Sequence, residues 1–325
     1  MKTPLFWHQP PGILSTMLRP LGAVYADATA RRVARKPEYE ASIPVICIGN
    51  INAGGTGKTP TAIAMAQRLI ARGQTPHIVS RGYGGSLRGP VKVDSRQHDS
   101  TTVGDEPLLL AAFAPTWVSK DRAAGVCAAE ADGASVILLD DGFQNPTVMK
   151  DLNIVVVDAV IGFGNGHVIP AGPLREPATT GLRRADLLLA IGPTKARAEF
   201  QVQIPAACGR IDGTLTPLPT GMPWQGMRAL AFAGIGHPEK FFATLREQGV
   251  DVVRGEALED HQPLTDALMT RLEAEAKARG LNLVTTEKDA VRLPERFRKN
   301  VLTMPVRLEL DDWAPLDAKL AALGL

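Results

Sequence analysis

The segment Asn52-Ala53-Gly54-Gly55-Thr56-Gly57-Lys58-Thr59 holds the residue types and spacing in this 325-residue chain that most directly dictate a chemistry. It follows the pattern G-x-x-x-x-G-K-[ST], with Asn52 in the place of the first glycine. In such a loop the backbone N–H groups and a helix N-terminus face an anion. Lys58 then reaches the β- and γ-phosphates, and the Thr59 hydroxyl ligates Mg²⁺. Asn tolerates a left-handed backbone, so Asn52 is expected to keep the turn, while Gly54 and Gly55 let phosphate approach the main chain. A glycine-rich turn that merely enters a helix has a similar composition, but the apolar strand before the loop and the helical pattern after it favour a nucleotide site. A second constellation, Val136-Ile137-Leu138-Leu139-Asp140-Asp141, is an apolar strand ending in two carboxylates. One of them would hold or orient the metal, although strand-end acids also serve as plain turn formers.

Short apolar strands alternate with helical stretches around these residues. Strands are expected at Val45–Gly49 and at 77–80, 117–119, 136–140, 154–158 and 187–191, and helices over 58–72, 105–114 and 122–131. Runs of Val, Ile and Leu without polar alternation mark strands covered on both faces. The expected fold class is therefore α/β, a P-loop NTPase-type, mostly parallel sheet with helices on both faces. Pro217, Pro219 and Pro223 crowd together with Gly213, Gly221 and Gly226, which reads as a linker over 213–226. It would separate a P-loop domain, 37–212, from a smaller α/β domain, 227–325, closing over the active site. That second unit shows strands at 229–233, 250–253 and 281–285 and helices over 238–248 and 265–279.

Composition sets the outer limits. Hydrophobic residues at 45% and charged residues at 22% exclude a disordered chain or a coiled coil. Aromatics at 5% are too few for a base-stacking nucleic-acid surface. The longest uninterrupted apolar run, residues 108–114, falls far short of the ~18 residues needed to cross a bilayer. Cys47, Cys127 and Cys208 are odd in number and form no CxxC pair, as suits a reduced cytosolic chain.

The net charge of +2 conceals a basic segment, 1–36, where Lys2, Arg19, Arg31, Arg32, Arg35 and Lys36 face Asp27 alone. Leu14, Leu18, Leu21, Tyr25 and Ala28 fall on one helical stripe there, with Met17 and Val24 beside it. Pro20 is awkward inside a helix, so two short helices are expected, with Pro20 opening the second. An in-plane anchor on an anionic membrane and a helix packed on its own domain both satisfy this pattern. No apolar signal-peptide core follows Lys2.

The P-loop alone does not separate a kinase from a GTPase or an ABC subunit. A guanine-reading N-K-x-D is missing, since Thr286-Glu287-Lys288-Asp289 has no residue between Lys and Asp, and no ABC signature follows the loop. Further strings discriminate. Ser80-Arg81-Gly82-Tyr83-Gly84, Gly104-Asp105-Glu106-Pro107 and Asp140-Asp141-Gly142-Phe143-Gln144 come in order. Gly164-Asn165-Gly166 and Pro170-Ala171-Gly172-Pro173-Leu174-Arg175-Glu176 follow. Last come Ala233-Gly234-Ile235-Gly236, Asp260-His261 and Thr286-Glu287-Lys288-Asp289-Ala290. From about residue 44 to residue 292 this collinear set resembles the tetraacyldisaccharide 4′-kinases of lipid A biosynthesis. Asn145 and Gln262 stand where the family pattern often carries His.

The resemblance implies ATP-dependent phosphorylation of the 4′-hydroxyl of tetraacyldisaccharide 1-phosphate, giving lipid IVA, with ATP and Mg²⁺ bound between two α/β domains. It implies a peripheral enzyme at the cytoplasmic face of the bacterial inner membrane. Its partners would be the lipid substrate and an anionic membrane surface, with no nucleic acid and no obligate protein partner. Lys58 would clamp the phosphates. Thr59, one of Asp140 and Asp141, and also Gln144 and Glu176 would order Mg²⁺. Arg175 would neutralise developing charge or hold the acceptor. Asp105 would accept the hydroxyl proton, oriented by His261 from across the cleft, while Arg81, Tyr83, Asn165 and Gly166 would meet the acceptor. The alternative from another class is a membrane-recruited P-loop ATPase switch acting on a protein partner.

Overall fold

Unbroken apolar runs fold into parallel strands that the chain divides between two sheets. A computed structural model describes residues 4–325; residues 1–3, and with them Lys2 of the basic segment, lie outside the described residues. The strands are β1 (Val45–Gly49), β2 (Pro76–Ser80), β3 (Val91–Lys92), β4 (Thr116–Val118), β5 (Val136–Asp140), β6 (Leu152–Asp158) and β7 (Leu187–Ile191), then β8 (Gly209–Pro217), β9 (Arg228–Ala233), β10 (Asp251–Ala257), β11 (Asn282–Thr286), β12 (Val301–Met304) and β13 (Val306–Leu310). The helices are α1 (Ile13–Val33), α2 (Lys58–Ala71), α3 (Asp105–Leu110), α4 (Arg122–Ala131) and α5 (Ala178–Leu182), then α6 (Thr194–Glu199), α7 (Pro238–Glu247), α8 (Asp266–Ala278), α9 (Glu287–Ala290) and α10 (Ala314–Ala322).

The large sheet has the order β13-β8-β7-β6-β1-β5-β2-β4-β3, and the small sheet β10-β9-β11-β12. Pairing is parallel except at the two edges of the large sheet, where β13 runs antiparallel to β8 and β3 to β4. Alternate residues of β1 serve opposite faces. Ile46 and Ile48 pack with Ile63, Met65 and Leu69 of α2. Val45 and Cys47 pack on the other side with Val126 and Ala129 of α4 and Leu182 of α5. From β1 the chain leaves toward β2, and from β6 it leaves toward β7, on the opposite side. The crevice beyond the carboxyl end of β1 is therefore a topological switch point, where doubly wound sheets bind ligands.

Two expectations about organisation are corrected. The linker expected at 213–226 begins inside β8, which pairs Gly213 with Leu310 and Pro217 with Val306. The chain's last part returns to the large sheet. β13 forms its edge, and α10 buries Leu316 and Leu320 in the α2 face, where Arg72 holds Asp317 at 2.8 Å. The small unit is thus inserted between β8 and β13 rather than spanning 227–325. Val306, Leu308 and Leu310 alternate with Arg307 and Glu309, as suits an antiparallel edge strand.

The second correction concerns α1, which is one helix with Pro20 inside it. Pro20 cannot donate to the carbonyl of Thr16, but both residues are exposed, which lowers the cost of leaving that carbonyl without a helical partner. The helix docks through small residues: Ser15, Gly22 and Thr29 are buried. A side chain at Gly22 would meet the Val168 carbonyl oxygen at 2.8 Å. The opposite face is apolar and bare, with Ile13 83%, Met17 72% and Val24 69% exposed. Of the expected stripe, Leu14, Leu21, Tyr25 and Ala28 are exposed and Leu18 is half-buried. Among the described residues, no helix is long and apolar enough to cross a membrane.

Candidate active site

The loop between β1 and α2 is shaped by its own hydrogen bonds. The Asn50 side-chain amide donates to the Gly54 carbonyl and to Thr56 Oγ1, both at 3.2 Å. Gly57 precedes α2 with φ +97°, and a side chain there would lie 2.7 Å from Ile191 Cδ1, so glycine is required. Space beside Gly54 and Gly55 is open, which leaves room for phosphate against their amides. Asn52 keeps the turn differently from the expectation. Its backbone is not left-handed; its side-chain amide instead donates to the Gly162 carbonyl at 2.9 Å. Ala53 N donates to the Pro173 carbonyl and Arg175 N to the Ile51 carbonyl, each at 2.7 Å. The Arg175-Glu176 segment is thereby fastened alongside the loop.

The two acids at the end of β5 have opposite surroundings. Asp140 accepts from Ser80 Oγ at 2.8 Å, while its Oδ1 is buried without a partner. Burial, then the charges of Glu106 and Asp141, push its pKa up to about 6. Asp141 has a left-handed backbone, φ +52°. Its carboxylate lies 3.6 Å from Lys58 Nζ and 2.8 Å from Arg175 Nη1. Burial opposes ionisation there, but Lys58 and Arg175 outweigh it and hold the carboxyl far below its usual range. An orphaned buried carboxylate oxygen near a P-loop fits a divalent cation, with Thr59 at the start of α2 as its hydroxyl ligand. Gln144 and Glu176 are committed elsewhere. Gln144 donates to the Asn50 carbonyl at 2.8 Å and to Glu176 at 3.0 Å, and Glu176 is ion-paired with Arg184. In this arrangement the two brace Arg175 and the loop, Gln144 Oε1 accepting from Arg175 at 3.3 Å.

Across the cleft the small unit supplies the partner of Asp105. Gly104, at φ +91°, turns the chain so that Asp105 opens α3 with its side chain buried. His261 Nδ1 lies 3.0 and 2.9 Å from the two Asp105 oxygens. Burial alone would raise the Asp105 pKa; the hydrogen bond from His261 and the charge of Lys288 more than offset it and keep the carboxyl below its usual value. His261 is itself held left-handed, φ +58°. Among the described residues, only it and Asp141 adopt that backbone without being glycine. Such strain concentrates where geometry serves function. Asp289, fully buried, accepts from Gly234 N at 3.1 Å and from Thr286 Oγ1 at 2.7 Å. The same loop bonds His261 N through the Gly234 carbonyl, and it brings Gly236 so near the phosphate loop that a Cβ added there would lie 3.7 Å from the amide of Gly55. Dyad and phosphate loop therefore share one cleft.

Other expected residues divide. The Tyr83 ring stands 5.3 Å from the His261 ring, and Arg81 is exposed on the same loop. Asn165 is not free for an acceptor. Its amide donates to the Phe6 and Ala171 carbonyls and accepts from His167 N, pinning the turn at Leu5–His8. Gly166, left-handed and exposed, shapes that loop. Asn145 caps a local turn through Thr147, and Gln262 caps another through Glu259. Lys288, Glu106, Lys240 and Asp158 were given no role by sequence reasoning. Lys288 lies 3.1 Å from Glu106 and Lys240 is ion-paired with Asp158, so both tie the small unit to the large one. The signal for Lys288 was its motif, Thr286-Glu287-Lys288-Asp289.

Comparison with known proteins agrees with this geometry. A family model described as tetraacyldisaccharide-1-P 4′-kinase matches residues 14–324. A tetraacyldisaccharide 4′-kinase of Dinoroseobacter shibae is 63% identical over 99% of this chain and 98% of its own. One of Jannaschia sp. is 60% identical, covering 98% of each. Among solved structures, LpxK from Aquifex aeolicus in complex with ATP superposes with a TM-score of 0.78 at 24% identity, covering 96% of this chain and 99% of that one. With the family model spanning nearly the whole sequence, the chain belongs to the tetraacyldisaccharide-1-P 4′-kinase family.

Proposed function

We propose that the chain transfers the γ-phosphoryl group of ATP to the 4′-hydroxyl of a tetraacylated glucosamine disaccharide 1-phosphate, giving lipid IVA. The observation that carries this reading is the pairing of Asp105 and His261 across the same cleft that the phosphate loop lines. Phosphoryl transfer asks the protein mainly for positioning and charge. Lys58 and the loop amides hold the phosphates. Bound nucleotide would draw Lys58 from Asp141, leaving Arg175 as that acid's partner. Thr59 and Asp140 would hold Mg²⁺, which when bound neutralises phosphate charge. The oxygen–phosphorus bond to the acceptor forms as the bond from the β,γ-bridging oxygen breaks. The bridging electrons leave with ADP, and the hydroxyl proton passes to Asp105. Tyr83, whose ring stands beside that of His261, and Arg81 on the same loop would meet the acceptor.

The bare apolar face of α1, with Arg19, Arg31, Arg32, Arg35 and Lys36 exposed around it, supports peripheral attachment to an anionic membrane. That surface is the cytoplasmic face of the inner membrane, where ATP and an acylated acceptor meet. An ATPase switch needs no such acceptor dyad. The test is acceptor-dependent turnover: ADP release should require the disaccharide lipid, and ADP release that ignores the lipid but responds to a protein would reverse the choice.

A further inference from the structure

We propose that Lys288 is a positioning residue for the transfer: it fixes the tautomer of His261, so that the imidazole donates from Nδ1 to Asp105 and cannot itself take up the acceptor's proton. The inference rests on the kinase reading above for its catalytic meaning, but not for its geometry. Lys288 Nζ lies 3.1 Å from Glu106 Oε1, 3.3 Å from His261 Nε2 and 3.6 Å from Asp260 Oδ1. An ammonium group has three donors and no acceptor. A hydrogen bond between it and Nε2 therefore requires the Nε2 lone pair, and the ring proton must sit on Nδ1. Nδ1 is the nitrogen that faces both oxygens of Asp105, at 2.9 and 3.0 Å.

The ring has little freedom to choose otherwise. Its backbone is held left-handed, and its amide is bonded to the Gly234 carbonyl. The groups that face it are Asp105 from α3, Lys288 from α9, Asp260 from its own loop and the Tyr83 ring from the loop after β2, with Glu106 of α3 holding the far side of Lys288. Asp260 Oδ1 lies 3.7 Å from Nε2. Without Lys288 the Nε2 lone pair would have no donor from the small unit, and nothing would fix which ring nitrogen carries the proton. With Lys288 in place, the hydroxyl proton stops on Asp105 and leaves to solvent after the products depart. Glu106 belongs to the large unit and Lys288 to the small one, so the tautomer is set only when α9 meets α3.

The experiment uses the full chain with ¹⁵N-labelled histidine, without substrate, and His261→Gln identifies the resonances. The expected wild-type pattern is a pyridine-type Nε2 and a pyrrole-type Nδ1 for His261. In Lys288→Met that single-tautomer pattern should be lost. In that variant kcat should fall about 10- to 100-fold with KM for ATP changed less than about two-fold, as for a disturbed proton acceptor. Lys288→Arg, which keeps a charged donor, should restore the tautomer and much of kcat. Should Lys288→Met fail to fold, Glu106→Gln loosens the same ammonium and should shift both readouts in the same direction. A pyrrole-type Nε2 in the wild type, or a folded Lys288→Met with unchanged tautomer and kcat, overturns the proposal. The tautomer is read without substrate, so its failure stands apart from failure of the wild type to phosphorylate lipid.

Discussion

Asp140→Asn should make the nucleotide-free protein more stable while abolishing transfer. Asp140 is 3% exposed, has one hydrogen-bond donor and leaves Oδ1 unpaired. A carboxyl raised from 3.8 to about 6 binds its proton more tightly folded than unfolded. Its ionisation therefore costs nothing below pH 3.8, costs progressively more between pH 3.8 and 6, and costs in full above that. At ~1.4 kcal/mol per pKa unit, the difference between 3.8 and about 6 amounts to about 3 kcal/mol above pH 6. About half of that cost remains at pH 5. Asn keeps an acceptor for Ser80 and removes the charge. With 325 residues and an unfolding entropy of ~2.1 cal/mol/K per residue, the gain corresponds to about 4 °C in Tm at pH 8. Calorimetry in chelator, without nucleotide, at pH 8 and pH 5 should show the advantage shrinking as pH falls. Adding Mg²⁺ and ATP should reverse the order, because only the wild type gains from metal-linked binding. A variant that melts below the wild type at pH 8, or by an equal margin at both pH values, would refute the reasoning.

Lys58→Ala should lose at least ~3 kcal/mol of transition-state stabilisation in kcat/KM, as removal of a charge clamp in a dry site does; near-normal turnover would end that assignment. Asp105→Ala should lower kcat about 10²- to 10⁴-fold with ATP affinity intact by calorimetry, and adding His261→Ala should lower it no further. Fully additive losses would show that the two do not act as a unit. Met17→Glu with Val24→Glu, on the bare face of α1, should cut sedimentation with anionic vesicles and leave Tm unchanged, since neither side chain is buried; undiminished binding would remove the membrane role.

The parallel sheet was legible because its strands are buried on both faces and carry no polar alternation, as in Val45–Gly49. The phosphate loop was legible because its pattern is local. β13 was not, since its pairing with β8 joins residues far apart in sequence, although Val306, Leu308 and Leu310 alternate visibly. Pro20 misled because its cost depends on whether Thr16 faces water, a tertiary fact. Asp105 and His261 came from resemblance to a family, and their contact depends on how two units close. The division of labour between Asp140 and Asp141 lies in burial and in Lys58 and Arg175, none of which adjacent sequence positions disclose.

The most direct measurement is the fate of the γ-phosphorus when purified chain, Mg²⁺ and ATP meet tetraacyldisaccharide 1-phosphate in detergent. The expected result, by ³¹P NMR and mass of the extracted lipid, is a second phosphomonoester at the 4′ position, formed in equal amount to ADP and lost in Asp105→Ala. ADP accompanied by free phosphate, with the lipid unaltered, would contradict the assignment of this cleft to lipid phosphorylation.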